Sequence, residues 1–298
     1  MNTTMHNEFK LIQRGAFCGT CITPAEANNL AEQSGICLPH GENNMPHRQI
    51  KNDKWNRNLC EDFSNFETIR CCVLFCLANY RADDDKREKS TILYEEILKI
   101  PYESMFEDNL QKVWDTLVAW NMNTRGAKLV PFDVFSKSLH DNKFILDELN
   151  QYSISNFCDK SSATKIKNLL INVYKKLKLS KSNPFVTTSK TLHFFLPQLF
   201  IPLDRTYTVS YFTNYSGTDL PPKEKTEDLV TWAISFHKQL AELYLLYKDE
   251  FMELSIITKI PVTKLLDNML IGFTMYRRYY CQQFNPKQHI LYLTAKME

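Results

Sequence analysis

Glycine is almost missing from this chain, 7 in 298 residues, and that scarcity excludes folds that depend on many tight turns, above all an all-β sandwich. It also leaves no room for glycine-rich phosphate loops: the sequence contains no P-loop and no glycine-rich dinucleotide turn. Long hydrophobic runs are absent as well. The two longest, CCVLFCLANY and LHFFLPQLFIPL, are too short to span a bilayer, and Pro197 interrupts the second. The first residues, MNTTMHNEFKLIQRGAF, lack the uninterrupted apolar core of a secretory signal. Nine cysteines, an odd number with Cys71 and Cys72 adjacent, read as reduced thiols rather than a disulfide framework. These absences lead to the expectation of a soluble, cytoplasmic protein with no membrane association. Strong net charge is lacking too: the formal balance is only +2, so no global basicity advertises a nucleic-acid partner.

What is present points to helix. The chain is 44% hydrophobic, enough to bury a sizeable core at this length, and its apolar residues recur at three- and four-residue spacing from Phe63 onward. The fold expected is all-α, a multi-helix globular domain over 61–298. Residues 1–60, rich in Asn and His, are expected to form a small Cys/His-containing module and a linker. The mixed-charge run RADDDKREK, residues 81–89, reads as a solvated loop.

Local charge is uneven. Between residues 160 and 190 lie eight lysines and no acidic side chain. Ile166, Leu169, Leu170, Val173 and Leu177 fall on one helical face, while Lys165, Lys167, Lys175 and Lys176 lie largely off it. One face packs and the other is cationic. The plain reading is a solvated helix face; the functional one is a surface for the phosphates of nucleic acid, DNA foremost.

Near the N-terminus, Cys18 and Cys21 are followed by Cys37 and His40. The segment between the two pairs reads as a short capped helix, with Thr23 at its N-cap, Pro24 at N1 and Glu26 closing a capping box. Two such pairs supply the four tetrahedral ligands of a structural zinc site, with His47 as an alternative to His40. The opposing reading is a set of unrelated thiols.

The segment FVTTSKTLHFFLPQLFIPLDRTYT places one amine, Lys190, and one carboxylate, Asp204, around an apolar stretch. Pro184 stops the basic helix. Thr187, Thr188 or Ser189 can cap a new one, putting Lys190 in its first turn, and Pro197 ends it. The chain then runs extended to Asp204, which can cap the next helix and meet Lys190 on one surface.

This Thr-Ser-Lys pattern, a hydrophobic helix and then Pro-x-Asp opening another helix, resembles the helix-hairpin-helix DNA glycosylase superfamily. SKTLHFFLPQLFIPLDRTYT and KLLDNMLIGF also look like blocks of bacterial proteins of unassigned function. The resemblance implies a helix-hairpin-helix-like element, a base flipped out of the stack, Lys190 as the amine that attacks the sugar, and Asp204 as its assistant. The family's Leu-Pro-Gly-x-Gly turn is replaced here by NPFVTTSK, so the lysines of the preceding helix would have to hold the phosphate. An attacking amine needs a depressed pKa, obtainable beside other cations or in an apolar pocket. Arg125, in the loop after Trp120, and Arg205, beside Asp204, complete the expected nucleic-acid contacts, with Trp120 able to stack a base. The alternative is a non-enzymatic helical interaction module, in which Lys190, Asp204 and the arginines only hold helices together. Asp267, inside a hydrophobic helix, needs a partner, and Lys190 or Arg205 are the expected ones.

Overall fold

The computed structural model describes residues 59–80, 85–123, 128–182, 184–204, 207–208, 210–212 and 226–283. Among these the chain is helical and carries no strand; a single antiparallel bridge joins Leu129 to Ser180. The all-α expectation holds. In chain order the helices are α1 (Leu59–Asp62), α2 (Phe66–Tyr80), α3 (Asp85–Leu98), α4 (Tyr102–Glu107), α5 (Leu110–Ala119), α6 (Phe132–Asp141) and α7 (Lys143–Leu149). A 3-10 turn (Ile154–Phe157) then leads to α8 (Lys160–Lys176), α9 (Pro184–Phe195), α10 (Ser210–Phe212), α11 (Thr226–Leu246), α12 (Lys248–Thr258) and α13 (Val262–Gln283). Helix α3 takes in Asp85 and the charged residues after it, so the run expected as a loop over 81–89 is helical from Asp85 onward.

The described chain divides into two compact units. In the first, α2 meets α13 from Asn268 onward. Their backbones touch there: a β-carbon on Gly272 would collide with the carbonyl oxygen of Cys72. Glycine is needed at that position for close approach, not for turning.

The second unit holds residues 59–66 and 85–267 of the described chain. Helix α8 follows its sequence pattern closely. Ile166, Leu170 and Val173 are buried, and the Asp159 carboxylate accepts from the Ser162 N–H at 2.7 Å to cap the first turn. It packs on α7, α11 and the 3-10 turn. Leaving α8, the chain buries Leu177 and Leu179 on either side of exposed Lys178, and Lys181 beyond them is exposed again.

Helix α9 departs from expectation. It begins at Pro184, not at the Thr and Ser residues read as caps. Proline at a first helical position loses no hydrogen bond and arrives with its φ preset. Of the residues read as caps, Ser189 turns its hydroxyl back to the Val186 carbonyl at 3.0 Å and Thr187 Oγ1 meets Met122 Sδ at 3.9 Å, while Thr191 Oγ1 donates to the Thr187 carbonyl at 2.9 Å. Lys190 therefore sits in mid-helix, in a segment buried at every position over 185–195.

Candidate functional site

The crossover over residues 201–203 is buried and non-helical, and among the described residues no strand lies beside it to take its peptide groups. Side chains do that work. The peptide between Phe200 and Ile201 is gripped from both sides. His193 Nδ1–H donates to the Phe200 carbonyl at 2.7 Å, and the Ile201 N–H donates to His237 Nε2 at 3.0 Å. One residue past Pro202, the Leu203 N–H donates to Ser189 Oγ at 3.1 Å.

A carbonyl can only accept, so both histidines carry their proton on Nδ1, His237 giving its own to the Ala233 carbonyl at 2.7 Å. His193 Nε2 then accepts from the Tyr94 hydroxyl at 2.7 Å. Burial pushes His193 down to about 3 and His237 down to about 4. Both are neutral structural groups, and His193 is the satisfied core histidine that a mid-helix position between Leu192 and Phe194 suggests.

This crossover delivers Asp204 to Lys190. Lys190 Nζ donates to Asp204 Oδ2 at 3.2 Å, the two side chains being 8% and 26% exposed. Asp204 Oδ1 accepts from the Tyr207 N–H at 3.3 Å, so the carboxylate opens the next turn as its sequence position predicts.

A second pair stands beside the first. Lys264 Nζ reaches Asp267 Oδ2 at 2.5 Å, and the Thr208 hydroxyl links the two carboxylate residues by accepting from the Asp204 N–H at 3.2 Å and donating to Asp267 Oδ1 at 3.3 Å. Burial pushes the Asp267 carboxyl above its usual range, against the pull of Lys264. Over the indole of Trp120 lie both ammonium groups, Lys264 at 4.9 Å from the ring centroid and Lys190 at 5.6 Å. Trp120 is itself set by Phe194 and Tyr94, with ring centroids at 4.7 and 5.2 Å. The result is a compact group of two lysines, two aspartates and one indole, neutral in sum.

Lys190 and Asp204 are therefore brought together as the sequence suggests. Asp267 is corrected in part: its direct partner is Lys264, one turn earlier on α13, with Lys190 contributing only through the field. The Lys-x-x-Asp spacing of 264–267 puts the two on one helix face and was the available signal. Lys165, Lys167, Lys175 and Lys176 lie on the exposed face of α8 rather than in this group. Lys175 pairs with Glu227 at 3.1 Å, and Lys176 Nζ sits 5.3 Å from the Phe144 ring centroid. Arg125 and Arg205 fall outside the described residues, as do Cys18, Cys21, Cys37 and His40, the residues expected to hold zinc, with the rest of residues 1–58. Among the described residues no group of three or more His, Cys, Asp or Glu is placed to hold a metal ion, and no helix is long and apolar enough to cross a membrane. Comparison with family models, curated proteins and solved structures found no match for this chain.

Proposed function

We propose that the protein binds nucleic acid, with DNA as the reference ligand, through a lysine surface that starts on α8 and continues past its end. The observation that carries this reading is the continuity of the surface. Lys175, Lys176, Lys178 and Lys181 are all exposed, and the bridge brings exposed Lys128 alongside, the Lys181 N–H donating to the Lys128 carbonyl at 2.7 Å. Glu227 pairs with Lys175, and that pair is exposed and screened. The buried Lys190, Asp204, Lys264 and Asp267 group then holds α9, the crossover and the start of α13 in place.

Phosphate neutralisation releases counterions, so affinity for a short DNA duplex should fall linearly on a log–log salt plot, with a slope near −4 for about four phosphates engaged. Lys178→Ala should make that slope shallower by about 1, and charge reversal at Lys167 should weaken binding of every sequence alike. Fluorescence anisotropy at several salt concentrations measures both. Binding that ignores salt, or none at about 50 mM, removes the reading.

A second reading, a DNA glycosylase or lyase, draws support from one feature: amine and carboxylate stand side by side, with the carboxylate capping the following turn. In that chemistry the Lys190 amine, its proton passed to Asp204, would attack the sugar C1′ and displace the base, and opening of the sugar ring at the C1′–O4′ bond, with the proton going to O4′, would leave an imine that borohydride reduces to a stable amine. A structural role for the pair predicts no such adduct with abasic or damaged duplex. An adduct that forms, and disappears in Lys190→Gln, would put the enzymatic reading in its place.

A further inference from the structure

Phe144 is the second residue of α7, whose Ile145, Leu146 and Leu149 are buried. Anchoring that face sends Phe144 outward, and the ring is 53% exposed. Its visible neighbour is a cation: Lys176, the last residue of α8, holds its ammonium 5.3 Å from the ring centroid.

Three acids nearby, on α4, α6 and α7, are met by lysines, while Asp133 and Glu148 on α6 and α7 are left to solvent. Lys137 pairs with Asp141 at 2.9 Å, and Lys143 with Asp147 at 2.7 Å and Glu103 at 3.1 Å. The Lys178 N–H, donating to Ser138 Oγ on α6 at 2.7 Å, keeps the chain that follows α8 beside this helix pair. An exposed π-face thus stands at the edge of the lysine surface, with a lysine ammonium already beside it.

We propose that Phe144 is a stacking platform for an unpaired base, so that the lysine surface takes single-stranded nucleic acid in preference to duplex. The inference rests on the nucleic-acid reading above and names its substrate class. As a phosphate arrives, the Lys176 ammonium swings from the ring to the phosphate oxygens, and a base takes its place on the ring face. Every base has a π-face, so stacking here is indifferent to sequence. In a duplex the same base is already stacked and paired, and extracting it costs a few kcal/mol.

The test titrates full-length protein with a fluorescein-labelled oligothymidylate of about 12 nucleotides, roughly the site size of single-strand binders, and with a duplex of equal length. Wild type should prefer the single strand by at least about 5-fold, and Phe144→Ala should lose about 5- to 100-fold on the single strand while changing duplex affinity less than about 2-fold. Phe144→Tyr, which keeps the π-face, should restore binding. Phe144→Ala should unfold at the wild-type temperature, since the side chain lies on the surface. Equal oligonucleotide affinity in wild type and Phe144→Ala overturns the platform and leaves the lysine surface standing. Failure of wild type to bind either nucleic acid at low salt removes the surface and the platform together.

Discussion

Lowering the pH from about 7 to about 5 is expected to remove roughly 4 kcal/mol of unfolding free energy, shared between His193 and His237. Both imidazoles have folded values far below the unfolded value near 6.5, at about 3 and about 4. Between those limits the unfolded chain binds two protons that the folded chain refuses. Stability is therefore complete above about pH 6.5 and declines by about 1.4 kcal/mol per histidine for each further unit. Asp267 acts in the opposite sense, since a carboxyl raised by burial takes up its proton more readily in the folded state.

Urea unfolding at a series of pH values measures the slope. His237→Gln should halve it, because a glutamine oxygen can still accept from the Ile201 N–H but does not titrate in this range. His237→Ala should cost roughly 3–5 kcal/mol even at neutral pH, combining a cavity with a buried N–H left unpaired. A flat stability profile, or an alanine variant within about 1 kcal/mol of wild type, would mean that the crossover peptide is not held by these rings.

Removing Lys264 should be about as damaging, and the damage should be reversible by a second substitution. Lys264→Met takes away the ammonium 2.5 Å from Asp267, whose side chain is only 3% exposed. Breaking a buried pair in this way costs about 3–5 kcal/mol, because the remaining charge is left uncompensated. Replacing both partners, in Lys264→Met with Asp267→Leu, should return stability to within about 1–2 kcal/mol of wild type, since a well-packed apolar pair is close to neutral against a buried ion pair. The penalty of the single variant should also shrink in acid, where Asp267 protonates. The double-mutant cycle decides the matter: additive losses would show that the two side chains do not depend on each other.

How far the sequence alone reached can be judged element by element. Helix α8 was legible because its apolar residues repeat on one face and its lysines fill the other, and tertiary packing keeps that division. The start of α9 was not. Thr187, Thr188 and Ser189 have the chemistry of caps, yet all three are buried inside the helix, where Ser189 bonds back to the Val186 carbonyl and Thr187 meets Met122 Sδ. The meeting of Lys190 with Asp204 could be anticipated because the prolines leave the crossover few paths. The second ion pair was within reach through the three-residue spacing of Lys264 and Asp267, yet nothing local connects it to Trp120, which precedes Lys264 by more than a hundred residues. The two histidines were hardest to read. Their task is set by an extended segment without a sheet, and a sequence does not announce which backbone groups will go unpaired.

The grip on the Phe200–Ile201 peptide also sets an order of assembly. His193 precedes that peptide and is made before it, whereas His237 follows Ile201 by 36 residues. During synthesis the crossover leaves the ribosome with its carbonyl partner available and its amide partner still unmade. Until α11 is complete and docked, the Ile201 amide has only water to bond, and the apolar residues around it cannot close over a hydrated group without cost. A nascent chain halted before residue 237 therefore lacks the acceptor that the folded protein gives the Ile201 N–H.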